Sequence, residues 1–148
     1  MSTVEEHYEQ FLARIYNWMG GGLTQKVEDH RRFFQEAGLT PKGCGKALDL
    51  GCGSGFQTLA LAALGYSVLG VDSSDALLAE LRANCTDDRV KVVKGDMRDP
   101  TVYESFGPFE IVVCMGDSLV HLQSHDEVAS CMAAVRRCIE PGGRLIVS

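Results

Sequence analysis

No apolar stretch in this chain approaches the ~20 residues needed to cross a bilayer. The opening Met1-Ser2-Thr3-Val4-Glu5-Glu6 has no basic region followed by an apolar one. Neither a membrane span nor a secretory leader is expected, and the sequence reads as cytoplasmic. A run rich in lysine and arginine is also missing, and 14 basic residues against 20 acidic ones leave a formal charge of −6. Such a chain has no diffuse attraction for phosphate backbones or anionic lipid, which argues against nucleic acid as a partner. The six cysteines, at 44, 52, 85, 114, 131 and 138, form no CxxC pair, and only four histidines accompany them. That pattern argues against a zinc site. Cys52, Cys114 and Cys138 lie inside apolar runs, where a free thiol packs as a small hydrophobe. Internal repeats and low-complexity segments are missing too.

What is present is ordinary globular usage, 45% hydrophobic and 23% charged over 148 residues. That length suits a single domain burying roughly two-thirds of its unfolded surface. From about 3 to 19, Val4, Tyr8, Phe11, Leu12, Ile15 and Met19 recur at steps of three and four, one face of a helix that Gly20-Gly21-Gly22 ends. Thr24 can cap a second helix through about Ala37, stopped by Gly38 and Pro41. Residues 1–42 thus read as a helical cap and 43–148 as the core of the domain.

Beyond Gly43 the pattern changes. Strands are expected at Ala47–Leu50, Tyr66–Val71, Val90–Val93, Phe109–Met115 and Arg144–Val147, with helices across Phe56–Leu64, Asp75–Asn84 and Ser124–Ile139. Helices, not two-residue hairpins, separate the strands. This alternation predicts right-handed βαβ units, an α/β fold with a doubly wound, mainly parallel sheet.

Directly after the first strand comes Asp49-Leu50-Gly51-Cys52-Gly53-Ser54-Gly55, and a helix begins at once. Glycines there permit a tight turn, let a ligand touch bare backbone and aim helix N-terminal amides at it. A second acidic residue, Asp72, ends the next strand 21 residues after Gly51. That is where a Rossmann-type fold places the carboxylate that receives ribose hydroxyls. The glycine spacing is GxGxG, whereas the nicotinamide fingerprint is GxGxxG and would need a small residue in place of Phe56. Asp49 sets a carboxylate beside the turn, which suits a ligand bearing an ammonium group better than a pyrophosphate.

Asp49–Gly55 resembles motif I of the class I S-adenosylmethionine-dependent methyltransferases, and later landmarks follow in that family's order across residues 45–148. Gly95-Asp96-Met97 resembles the segment whose carboxylate and following amide contact adenine. Phe109–Met115 resembles the fourth strand, with Glu110 where the family usually has Asp, and Glu140-Pro141-Gly142-Gly143 resembles the turn into the fifth. The resemblance implies strand order 3-2-1-4-5 and a cofactor site of Asp49, Gly51, Gly53, Gly55, Asp72, Ser73, Asp96, Met97 and Met115. It also implies two N-terminal helices from which Tyr16 caps the pocket, although Tyr16 equally fits simple packing. Met115–Leu122 resembles the segment after strand four in small-molecule enzymes, including glycine and sarcosine N-methyltransferases.

In this family S-adenosylmethionine is consumed and S-adenosylhomocysteine produced by in-line displacement, so the protein mainly sets geometry. If the acceptor must lose a proton, Asp117 and His121 are the candidate bases, with turn capping and helix-start orientation as their structural alternatives. The competing functions are a non-catalytic module that holds S-adenosylmethionine and, less consistent with Phe56, a nicotinamide-dependent reductase. The chain stops at Ser148 in the fifth strand, before the strands six and seven that the family fold carries. The expectation is a partial chain lacking those strands, or a homodimer in which a second copy covers the strand-five edge.

Overall fold

The computed structural model describes residues 23–115 and 124–147. Their elements run α1 (Leu23–Glu36), β1 (Lys46–Leu50), α2 (Phe56–Ala63), β2 (Ser67–Asp72), α3 (Asp75–Asn84), β3 (Val90–Lys94), β4 (Phe109–Cys114), α4 (His125–Cys138) and β5 (Ile139–Val147). Two short 3-10 turns, Pro100–Val102 and Glu104–Phe106, lead from β3 to β4. All five strands pair in parallel in the order β3-β2-β1-β4-β5. This is the doubly wound sheet that the alternation of strand and helix patterns predicts. The first expected helix, 3–19, lies outside the described residues.

Strand side chains alternate between two cores, as the period of two requires. Ala47, Val68, Ile111 and Val113 face one side, where they pack with Ala60 and Leu61 of α2 and with Phe34 of α1. Leu48, Leu50, Leu69, Val71, Val112 and Cys114 face the other, against Tyr103 and the Cys131, Val135 and Cys138 stripe of α4. Cys52, Cys114 and Cys138 are buried, as their apolar runs predict, whereas Cys44 is exposed. Both faces are covered, so the strands read as nearly continuous apolar runs.

The α1 helix ends where Gly38 turns at φ +79. The amides of Ala37 and Leu39 there return to the carbonyls of Phe33 and Phe34, a glycine-terminated helix end. This folds Leu39 into the same core as fully buried Phe34. The described part of the expected cap therefore packs as a layer of the core.

The last strand is longer than its sequence suggests. It begins at Ile139, and between its pairings Phe109↔Ile139 and Ile111↔Arg144 β4 advances two residues while β5 advances five. Glu140–Gly143, read from the sequence as a turn preceding the strand, is a bulge within it, made possible by Gly142 at φ +83. Among the described residues, no helix is long and apolar enough to cross a membrane.

Candidate functional site

The chain reverses from β1 into α2 through the glycine loop. Gly51, Gly53 and Gly55 adopt φ of +74, +55 and +101, a region that L side chains rarely occupy. The loop is stitched to the end of the neighbouring strand, since Gly51 and Cys52 both donate to the Val71 carbonyl at 2.8 and 3.0 Å. Gly55 has a second constraint, because a Cβ there would collide with Leu81 of α3.

Asp72, at the end of β2, ties the loop to the next helix. Its Oδ2 accepts the Gly53 amide at 2.9 Å and its Oδ1 accepts the Ser74 amide at 2.9 Å. Ser74 in turn caps α3, its hydroxyl accepting from the Leu77 amide. Each Asp72 oxygen keeps further acceptor capacity beyond one amide. Ser73 stands exposed beside it.

Asp49 has a different environment. It lies in β1 opposite Gly70 of β2 and is only 1% exposed. Oδ2 accepts the Thr58 hydroxyl of α2 at 2.7 Å. Oδ1 is buried with no hydrogen-bond partner among the described residues. Burial pushes the Asp49 carboxyl up to about 7; the Thr58 bond opposes this and the charge of Asp72 adds to it. A buried carboxylate oxygen left open is energetically unfavourable by itself. Such an oxygen is able to accept from a cationic or N–H-bearing group.

The third strand supplies the far wall. The Gly95 amide donates to the Asp72 carbonyl at 3.0 Å, which places the Asp96 turn beside the end of β2. The Asp96 carboxylate is gripped by Arg98, whose guanidinium hydrogen bonds hold it below the usual carboxylate range. Met97 packs against the core shared with α4. Met115 follows directly after β4 and packs toward the α1–α2 side.

Asp49, the three glycines, Asp72, Ser73, Asp96, Met97 and Met115 thus gather at the C-terminal ends of β1, β2, β3 and β4. In open α/β sheets that is the edge where ligands bind. Tyr16, Asp117 and His121 lie outside the described residues, as does most of Met115–Leu122.

Several contributors were not singled out from the sequence. Thr58 holds Asp49 from one turn inside α2. Gly70 leaves room for the loop, since a Cβ there would lie 3.0 Å from Cys52 Sγ and 3.2 Å from Thr58 Oγ1. A lone glycine inside an apolar strand was the available signal, because it marks close approach by another segment. Phe56, which the sequence does single out, is buried at the start of α2, stacked against His30 of α1 with centroids 6.3 Å apart. Its bulk occupies the position where the nicotinamide fingerprint needs a small residue.

Residues 47–143 match the family described as "Methyltransferase domain". The chain is 32% identical to the cypemycin N-terminal methyltransferase of a Streptomyces species over 84% of its own length and 46% of that protein's. It is 36% identical to the ubiquinone biosynthesis O-methyltransferase of Methylococcus capsulatus, over 70% of this chain and 42% of that one. Among solved structures, the glycopeptide N-methyltransferase MtfA complexed with S-adenosyl-L-methionine superposes with a TM-score of 0.65 at 28% identity, covering 82% of this chain and 48% of MtfA. MtfA has also been solved with S-adenosyl-L-homocysteine. The chain spans about half the length of the curated relatives it matches.

Proposed function

Because this chain belongs to the class I, Rossmann-like S-adenosylmethionine-dependent methyltransferases, we propose that it carries the cofactor half of an enzyme that methylates a small-molecule acceptor. The observation that carries this reading is the buried Oδ1 of Asp49, without a partner among the described residues, beside the positive-φ glycine loop. The loop offers bare backbone, and Asp49 offers a desolvated negative charge to an ammonium group.

In this reading each site residue has one role. Asp49 receives the amino group of the cofactor's methionine end, and Gly51, Gly53 and Gly55 let that end approach the chain. Asp72, already oriented by the Gly53 and Ser74 amides, receives ribose hydroxyls, with Ser73 beside it. Asp96 and the Met97 amide take the adenine, and Met115 at the end of β4 borders the reacting end. S-adenosylmethionine supplies an activated methyl on a sulfonium, so the protein's contribution is alignment and exclusion of water.

A small acceptor is favoured by the net charge of −6, which provides no attraction for nucleic acid. The named relatives are an N-terminal methyltransferase and an O-methyltransferase, and the acceptor proposed here is an amine or a hydroxyl. Asp117 and His121 are the bases proposed for deprotonating it. The test is a methyl-transfer assay that detects S-adenosylhomocysteine across panels of small amines and phenols, with NADH as a competitor for binding. Turnover with a small acceptor and indifference to NADH is the expected result. Displacement of the cofactor by NADH would overturn the assignment.

A further inference from the structure

Asp96 does not stand alone at its turn. Oδ1 accepts the Arg98 amide at 2.8 Å and Arg98 Nε at 2.9 Å, while Oδ2 accepts Nη2 at 2.5 Å and shares Nε at 2.9 Å. An ionised carboxylate offers about four in-plane acceptor positions. The amide, Nε and Nη2 take three of them. Arg98 is itself held, because Nη1 reaches Glu127 Oε1 at 3.3 Å in the first turn of α4. One helical turn further along, the Cys131 thiol donates to the Met97 carbonyl at 3.5 Å. The 96–98 turn is therefore fastened to α4 at two points, and its half-exposed carboxylate is held in one orientation, with Oδ2 taking only a shared Nε beyond its bond to Nη2.

From this arrangement we infer that Arg98 is a positioning residue that makes the site select a 6-aminopurine over a 6-oxopurine cofactor. The inference rests on the proposed placement of the base at Asp96. A carboxylate kept ionised and immobile can only accept a hydrogen bond. It receives an N–H from an exocyclic amine and repels a carbonyl oxygen at the same position. Without the guanidinium fork the side chain is free to turn: accepting from an amine then costs the ordering of its rotamer, and the carboxylate swings away from a carbonyl oxygen instead of repelling it. Arg98 is thus expected to act on discrimination between bases more than on overall affinity. Lysine cannot replace it fully, since a point charge does not fork across two oxygens.

The experiment is calorimetric titration of the full chain with S-adenosylhomocysteine and with S-inosylhomocysteine, which carries oxygen in place of the amine. In Arg98→Ala, affinity for the adenosyl compound should fall about tenfold while that for the inosyl compound holds, so the preference collapses by about the same factor. Arg98→Lys should recover part of it, and Glu127→Gln, which frees only the outer tie, should lose about two- to threefold. If Arg98→Ala folds poorly, these two milder variants still show whether the preference follows the fork. Equal weakening of both compounds, or no change in their ratio, overturns the role of Arg98. The underlying placement fails separately: if Asp96→Asn leaves the wild-type preference intact, the base does not sit at Asp96 and the inference falls with it.

Discussion

The two ends of the sheet each hold an acidic side chain beside a glycine-containing turn, and the two are treated in opposite ways. At the N-terminal end of β4, Glu110 accepts the backbone amides of Lys42, Gly43 and Gly45, the Lys42 bond to Oε2 being 2.9 Å and the Gly45 bond to Oε1 3.1 Å. Burial pushes its carboxyl up, but those amides and the Tyr66 hydroxyl outweigh burial and bring it below its ordinary value. At the C-terminal end of β1, Asp49 has one hydroxyl partner and, among the described residues, one buried oxygen without a partner, and its carboxyl rises to about 7. One carboxylate is satisfied by the fold itself. The other has, among the described residues, no partner for one of its oxygens. A carboxylate that organises a loop and one proposed to receive a ligand therefore differ in hydrogen-bond satisfaction more than in residue type or local sequence.

The comparison breaks most decisively at Asp49. Asp49→Asn keeps the shape and the Thr58 contact but removes the charge, so affinity for S-adenosylhomocysteine should fall about 100-fold in a calorimetric titration. Stability at pH 8 should hold or rise, since a desolvated, half-satisfied anion has been removed. Glu110→Ala should show the reverse, with urea denaturation revealing a loss of about 2 kcal/mol as three amides lose a charged acceptor. Its cofactor affinity should be unchanged in the folded protein. Gly70→Ala probes the packing between the loop and β2. Crowding of Cys52 and Thr58 should reduce stability by about 1 kcal/mol and weaken the cofactor slightly by displacing Thr58 from Asp49.

The same contrast has a pH signature. Glu110 titrates lower when folded than unfolded, so its contribution is complete above its ordinary carboxylate range and is lost as pH falls below it. Asp49 titrates higher when folded, so the fold binds its proton more tightly than the unfolded chain does. Its contribution is greatest below the unfolded value of 3.8 and declines as pH rises toward about 7. The two residues tilt stability against pH in opposite directions.

Much of this architecture was legible from periodicity. The strand and helix alternation gave the parallel sheet, and the acidic and glycine positions read along the chain came to lie together because a doubly wound sheet brings its strand ends to one edge. Contacts between elements were not legible. Nothing in the local sequence of α2 says that Thr58 points at Asp49, nor does Arg98 announce that it grips its neighbour and reaches Glu127 in α4. The sequence shows Glu110 only as a carboxylate where the family usually has Asp. The structure shows its carboxylate bridging to three amides at 42–45, a role set by the distance between β4 and a loop about 65 residues earlier in the chain. The bulge in β5 was hidden because Pro141-Gly142-Gly143 carries the same signal as an ordinary turn.

The two-carboxylate contrast is tested most directly by titrating S-adenosylhomocysteine into wild type and Asp49→Asn at pH 6 and pH 8. An ammonium group bound at Asp49 lowers that carboxyl's pKa, so binding below about 7 must expel its proton. Wild-type affinity should therefore rise about tenfold between the two pH values, with proton release at pH 6, and Asp49→Asn should bind weakly at both. A wild-type affinity that ignores pH, or an Asp49→Asn variant that binds as well and with the same pH dependence, would contradict the assignment of Asp49 as the carboxylate kept open for the cofactor.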